Sequence, residues 1–240
     1  MGRNSYRNIE EALALEARLK RREAYKQAEA EAAAVAAGKK PGTKVQKPAK
    51  AGSAGAGEVR IIGGQWRRTR LAVAQRPGLR PTPDRVRETL FNWLGQDLGG
   101  WRCFDAFAGT GALGFEAASR GAVQVRMVEQ DAGLAQQLER LSQHLKAEGV
   151  HVQRGDGIAA LTQSAANHWH AIFIDPPFAL EGLFVPAIKA AAHAVADDGM
   201  IYLEAPKAWT DEELAEYGLQ QHRYLKAGNV HAHLLKKITS

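Results

Sequence analysis

The sequence predicts an α/β protein: a doubly wound, seven-stranded, mostly parallel sheet closed at one edge by an antiparallel hairpin, with a small hairpin-and-helix module in front of it. Three observations carry that reading. Beyond Gly100, short apolar runs alternate with helical segments; a glycine-rich turn follows the first run; and the chain closes with "HRYLKAGNVHAHLLKK", two β-prone runs turning at Ala227 to Asn229. Strands separated by helices must pair in parallel through crossovers, whereas a run joined by so short a turn can only fold back on its neighbour.

The elements follow in order. Residues 8–37 are strong helix formers of mixed charge, stopped by Gly38, and residues 38–57 are a Gly/Pro/Lys/Ala tether, so 1–57 is expected to be a basic helical or disordered extension and linker. Residues 58–99 form the next unit. In "VRIIGGQWRRTRLAV" two short β-prone runs flank Gly63 and Gly64, which reads as a hairpin edged by arginines. In "GLRPTPDRVRETLFNWLG", Thr82 or Asp84 can cap a helix whose apolar face is Val86, Leu90, Phe91 and Leu94. The remaining unit, 100–240, carries strands near 102–107, 123–129, 150–154, 171–175 and 200–204, then the final hairpin.

Composition narrows the class. The single cysteine, Cys103, excludes a disulfide framework and a cysteine-rich zinc site, and no run approaches the roughly 18 apolar residues of a membrane span. With no apolar signal core at the N-terminus and six glutamates in the first fifty-odd residues, a cytoplasmic protein is expected. The net charge of +6 is unevenly distributed. Residues 60–87 hold eight arginines against Asp84, while residues 88–240 hold twelve Lys/Arg against eighteen Asp/Glu. An arginine cluster beside an acidic body points to nucleic acid, with Arg67, Arg68, Arg70, Arg80, Arg85 and Arg87 as candidate phosphate contacts.

The chemistry concentrates at strand ends. "CFDAFAGTGALGFEAASRGA" sets Gly109, Gly111 and Gly114 in G-x-G-x-x-G spacing after a strand and at a helix start, where backbone can approach a nucleoside ligand. Asp105, four residues before Gly109, would repel a pyrophosphate but suit a cationic ligand bearing an amino acid. S-adenosylmethionine is such a ligand: Glu129 can accept from its ribose hydroxyls and Asp156 in "RGDG" from its adenine amine. Each acid alone is equally an ordinary loop acid or helix cap. In "IFIDPPF", two prolines hold Asp175 and Phe178 in a stiff frame at the end of the fourth strand. A carboxylate and the Pro176 carbonyl accepting the two hydrogens of a nucleobase amine would aim its nitrogen at the sulfonium methyl, with Phe178 stacking the unstacked base. That motif serves adenine N6 as well as guanine N2, and the glycine spacing alone also admits a nucleotide-dependent oxidoreductase. The chemistry needs no metal, and His231 and His233 are read as alternate positions on one strand face.

"RIIGGQWRRTRL", "GLRPTPDRVRETLFNWL", "DAFAGTGALGFEAASRGA", "VEQD", "DPPF" and "IYLE", in this order over about residues 59–240, closely resemble the bacterial RsmD family, 16S rRNA guanine-N2 methyltransferases acting on guanine 966. The resemblance implies a class I methyltransferase fold, S-adenosylmethionine as donor with S-adenosylhomocysteine as product, and 16S rRNA in the small subunit or an assembly intermediate as partner of a monomer. It assigns Asp105, Phe107, Gly109, Gly111, Glu129, Gln130, Asp156 and Gly157 to the cofactor and Asp175, Pro176, Pro177 and Phe178 to catalysis. The 57-residue extension falls outside the family core, and Thr110 is a serine-to-threonine kind of variation.

Overall fold

The computed structural model describes residues 57–72 and 82–238 and, from the extension, only Glu16, Leu19, Lys20, Glu23, Lys26 and Gln27, which are helical. The expected tether and Arg80 lie outside the described residues. Two strands, β1 (Glu58–Arg60) and β2 (Arg70–Ala72), pair antiparallel and lead to helix α1 (Asp84–Leu94). The body then alternates β3 (Arg102–Asp105), α2 (Ala112–Ser119), β4 (Gln124–Glu129), α3 (Ala132–His144), β5 (Val150–Arg154), α4 (Gly157–Thr162), β6 (Trp169–Ile174), α5 (Phe184–Ala194) and β7 (Val195–Ala205). A short α6 (Asp211–Ala215) precedes the hairpin β8 (Leu219–Ala227) and β9 (Val230–Lys237).

The seven strands run in the order β5-β4-β3-β6-β7-β9-β8, parallel from β5 to β7, with β9 reversed between β7 and β8. All the expected strands are present. The chain order reverses direction across the sheet between β3 and β6, so a crevice opens beyond the carboxyl ends of those two strands. Among the described residues no helix is long and apolar enough to cross a membrane.

Strand alternation divides the core into two layers. Cys103, Val125, Met127, Ala171, Phe173 and Tyr202 pack on one face beneath α1 and α2, and Phe104, Val128, Ile172, Ile174, Ile201 and Leu203 pack on the other beneath α4 and α5. The period of two has a functional consequence: Asp105, Glu129, Asp175 and Glu204 come next in line on the first face, at its carboxyl rim. Helix α1 seals that face, with Phe91 tilted against Phe173 at 6.1 Å between ring centres. Each such buried ring contributes about 1.5–3 kcal/mol.

The hairpin docks on α2 through a buried acid, Glu116, and through Ser119, whose hydroxyl donates to the Gly63 carbonyl at 2.6 Å and whose carbonyl accepts from Gln65 N at 2.7 Å. Glu116 is 0 % exposed, and its two oxygens accept from Ile62 N and Gly63 N at 2.8 Å each. Arg120 pairs with it at 2.9 Å and Arg87 at 3.5 Å. Gly63 and Gly64, expected simply as the glycines between the two runs of a hairpin, make this docking possible. Gly64 sits at φ 73°, and a Cβ there would lie 1.8 Å from the Ser119 carbonyl oxygen.

Two expectations for this module need correction. Arg87 is 1 % exposed: its guanidinium donates to Asp84 at 2.6 Å and to the Arg60 carbonyl at 2.8 Å, so it braces the core instead of facing RNA. Neither Thr82 nor Asp84 caps α1; Pro83 occupies that position, no side chain bonds the first turn, and Asp84 is the first helical residue, paired with Arg60 at 2.7 Å. Proline suits a helix start because its missing N–H would have been unpartnered there anyway.

Candidate active site

The crevice is walled by three consecutive strand ends. Asp105, 2 % exposed at the end of β3, accepts from Gly114 N at 3.1 Å. Burial pushes its carboxyl up to about 7; the amides of Gly114 and Phe107 oppose that shift, and Glu129 adds to it. Gly111 caps α2 at φ 78° in the left-handed region, and a Cβ there would meet Leu138 and Phe115 at 2.6 and 2.7 Å. Gly114 is equally constrained, since a Cβ would lie 2.3 Å from the Met127 sulfur. The glycine spacing therefore reflects backbone handedness at Gly109, with φ 50°, and at Gly111, and close packing at Gly111 and Gly114.

Glu129, 4 % exposed at the end of β4, staples two loops: Oε2 accepts from Gly109 N at 2.8 Å and Oε1 from Asp131 N at 2.7 Å. Burial raises its carboxyl too, against those amides. Beyond β5, Asp156 accepts from Ala159 N at 3.0 Å as the cap of α4. Gly157 follows it, and a Cβ there would stand 1.8 Å from the Ala106 carbonyl oxygen, so the β5 loop is pressed against the end of β3. Phe107 and Gln130 are half-buried at the same rim.

Across the crevice, Asp175 follows β6. Pro176 is buried, Pro177 and Phe178 are half-buried, and the turn closes with Leu180 N donating to the Pro177 carbonyl at 2.9 Å. Phe178 also packs against the second core layer, so its ring is partly a structural contact. Asp175 retains some exposure as a residue, while its carboxyl is desolvated and raised well above the usual carboxylate range, first by burial and then by Glu204 and Asp105. Thr82, from the lead-in to α1, donates its hydroxyl to Asp175 Oδ2 at 3.5 Å.

Sequence reasoning missed the partners of Asp175. Glu204, 3 % exposed on β7, accepts from the Tyr202 hydroxyl at 2.6 Å. Their signal was in "IYLE", a glutamate inside an otherwise apolar buried-strand run. Of the candidate RNA contacts, Arg67, Arg68, Arg70 and Arg85 are exposed, and Arg70 pairs with Glu58 at 3.2 Å.

This sheet order, with a glycine turn and acids at successive strand ends, defines a class I methyltransferase fold. A solved structure described as "Putative methyltransferase yhhF from Escherichia coli" superposes with a TM-score of 0.64 at 35 % identity, covering 75 % of this chain and 98 % of that one. The family model described as "Conserved hypothetical protein 95" matches residues 59–236, and the chain belongs to that family, to which the RsmD proteins belong. Among its relatives, "Ribosomal RNA small subunit methyltransferase D" of Escherichia coli strain K12 is 44 % identical over 153 residues, 63 % of this chain and 76 % of the relative. The protein of the same name from Haemophilus influenzae is 47 % identical over 125 residues, 51 % of this chain and 65 % of that one.

Proposed function

We propose that the protein transfers a methyl group from S-adenosylmethionine to the exocyclic N2 amine of a guanine in 16S rRNA, guanine 966 by family resemblance. The observation that carries this reading is the juxtaposition across the crevice: acceptor groups at the ends of β3, β4 and β5 face an Asp-Pro-Pro-Phe turn at the end of β6. Relatives named for ribosomal RNA support the substrate class.

The wall fits the donor chemically. Its side chains are acceptors, matched to an ammonium, ribose hydroxyls and an adenine amine. Asp105 would hold the cationic amino-acid end, Glu129 the ribose and Asp156 the adenine side, with Phe107, Gly109, Gln130 and Gly157 shaping the walls. When bound, S-adenosylmethionine supplies an electrophilic methyl on a positively charged sulfur.

The chain's own work is positioning. A guanine amine is a poor nucleophile because its lone pair is delocalised into the ring. Asp175 and the Pro176 carbonyl accept its two hydrogens and favour the pyramidal nitrogen of the transition state, while Phe178 stacks the base. Residues 58–99 act as the RNA-binding module, with exposed Arg67, Arg68, Arg70 and Arg85 on phosphates and Arg80 completing the set.

The test is mass spectrometry of nucleosides from 16S rRNA in cells with and without the gene, followed by primer extension. Loss of one N2-methylguanosine at a single position is the expected result. A change in N6-methyladenosine instead, or an unchanged profile, would overturn the substrate assignment.

A further inference from the structure

An acid pair stands at the ends of β6 and β7. Ile174 and Leu203 are register partners in these parallel strands, so Asp175 and Glu204 are the next pair along, on the same face. The groups bearing on Asp175 are acidic or neutral: Glu204 from β7, Asp105 from β3 and the Thr82 hydroxyl from the segment before α1. Tyr202 and Thr82 bear on Glu204. The second buried acid has no part in the amine-orienting chemistry described above.

We propose that Glu204, held by Tyr202 and Thr82, is the positioning residue for Asp175: the two carboxylates hold one proton between them and take up the proton the amine nitrogen sheds on methylation. This rests on the amine-methylation reading. Two neighbouring carboxylates in a desolvated site cannot both ionise near neutral pH, so they titrate as a unit. The Tyr202 hydroxyl donates to Glu204 Oε1, which leaves Oε2 to carry the shared proton. Thr82 donates to Asp175 Oδ2 at 3.5 Å and opposes the burial that raises its carboxyl, so each acid of the pair has a hydroxyl donor beside it.

The step balances. The nitrogen lone pair forms the N–C bond as the methyl–sulfur bond breaks with its electrons onto sulfur, and the nitrogen, now cationic, releases one proton. The pair accepts it, passing from one negative charge to none, and returns it to solvent as product leaves. Thr82 gives the arrangement a link to substrate, because its segment leads directly into the helix of the arginine-bearing module.

Two measurements test this. In the first, carboxyl-carbon NMR follows the ligand-free protein as pH is raised. Asp175 and Glu204 are expected to titrate in two separated steps, and Glu204→Gln to collapse the Asp175 titration to a single step at lower pH; an unchanged Asp175 titration in Glu204→Gln overturns the proposal. In the second, single-turnover methylation of unmodified small subunits is followed across pH. Glu204→Gln should lose at least tenfold in rate, with its acid limb moved to lower pH and its calorimetric affinity for S-adenosylmethionine within twofold of wild type. Glu204→Asp should recover part of the rate, and Tyr202→Phe, which keeps the ring, should show the same displacement to a lesser degree. Wild-type rate and pH profile in Glu204→Gln overturn the proposal. Coupled titration in a wild-type protein that makes no N2-methylguanosine would sustain the pair and overturn only the substrate reading.

Discussion

Two buried glutamates on the same layer of the sheet live in opposite surroundings. Glu116, on α2, accepts two backbone amides and pairs with Arg87 and Arg120, the latter also lying over the Phe91 ring at 4.9 Å. Glu204, at the rim of β7, has a phenol and a hydroxyl for partners and another acid as neighbour. A fold has every reason to match a buried charge with partners when the charge serves only to join two parts. A buried acid set beside other acids costs stability and is retained where a proton or a cationic ligand must be handled. The matched acid marks the joint, and the unmatched ones line the rim where the proposed chemistry sits.

The largest effect that would sharpen this contrast is at the rim. Asp175→Ala should lower methyl transfer about a thousandfold while leaving calorimetric binding of S-adenosylmethionine intact. Retained activity would break the assignment of Asp175. At the joint, Glu116→Gln should destabilise the fold by about 3–5 kcal/mol, because Arg87 and Arg120 lose their buried counter-charge. Denaturant unfolding measures that loss, and hydrogen exchange at Ile62 and Gly63 should quicken.

Asp105 offers a pH-dependent test of intermediate size. Its carboxyl binds a proton more tightly in the folded chain, at about 7, than in the unfolded one. Its contribution to stability is therefore complete below the ordinary carboxylate pKa and is lost as pH rises through about 7, a difference on the order of a few kcal/mol. Thermal unfolding should show less stability at pH 8 than at pH 5 from this group, with the slope flattened in Asp105→Asn. Affinity for the cationic donor should run the other way, since the carboxylate must ionise to meet an ammonium; it should fall about tenfold per pH unit below 7. Smallest of all, Arg67→Ala or Arg68→Ala should weaken RNA binding a few-fold and lower the salt slope by about one, without altering donor affinity.

Much of the fold was legible because strand and helix periods differ, and the strands from β3 to β9 fall where alternating apolar runs placed them. The glycine turn and the Asp-Pro-Pro-Phe frame were legible for a related reason: few residue types tolerate those backbone paths. Arg87 was misread because arginines near one another suggest a shared surface. Yet it falls with Val86, Leu90, Phe91 and Leu94 among the buried residues of α1, and helical spacing carried that signal. Glu204 was less accessible, since only strand register, which brings Leu203 opposite Ile174, reveals that it neighbours Asp175. Asp156 shows a limit of composition: as the cap of α4 it serves the helix directly, a role a strand-end acid always offers as well.

The joint at Glu116 also sets an order of assembly. Ile62 and the glutamate that accepts its amide are 54 residues apart in the chain. On the ribosome the hairpin emerges first, at about 5–20 residues per second, and must wait several seconds for its anchor to appear. The arginine-bearing module is therefore born before it has anywhere to dock, and its final placement follows formation of the helix that borders the crevice. A nascent chain cannot present a seated hairpin before that helix exists.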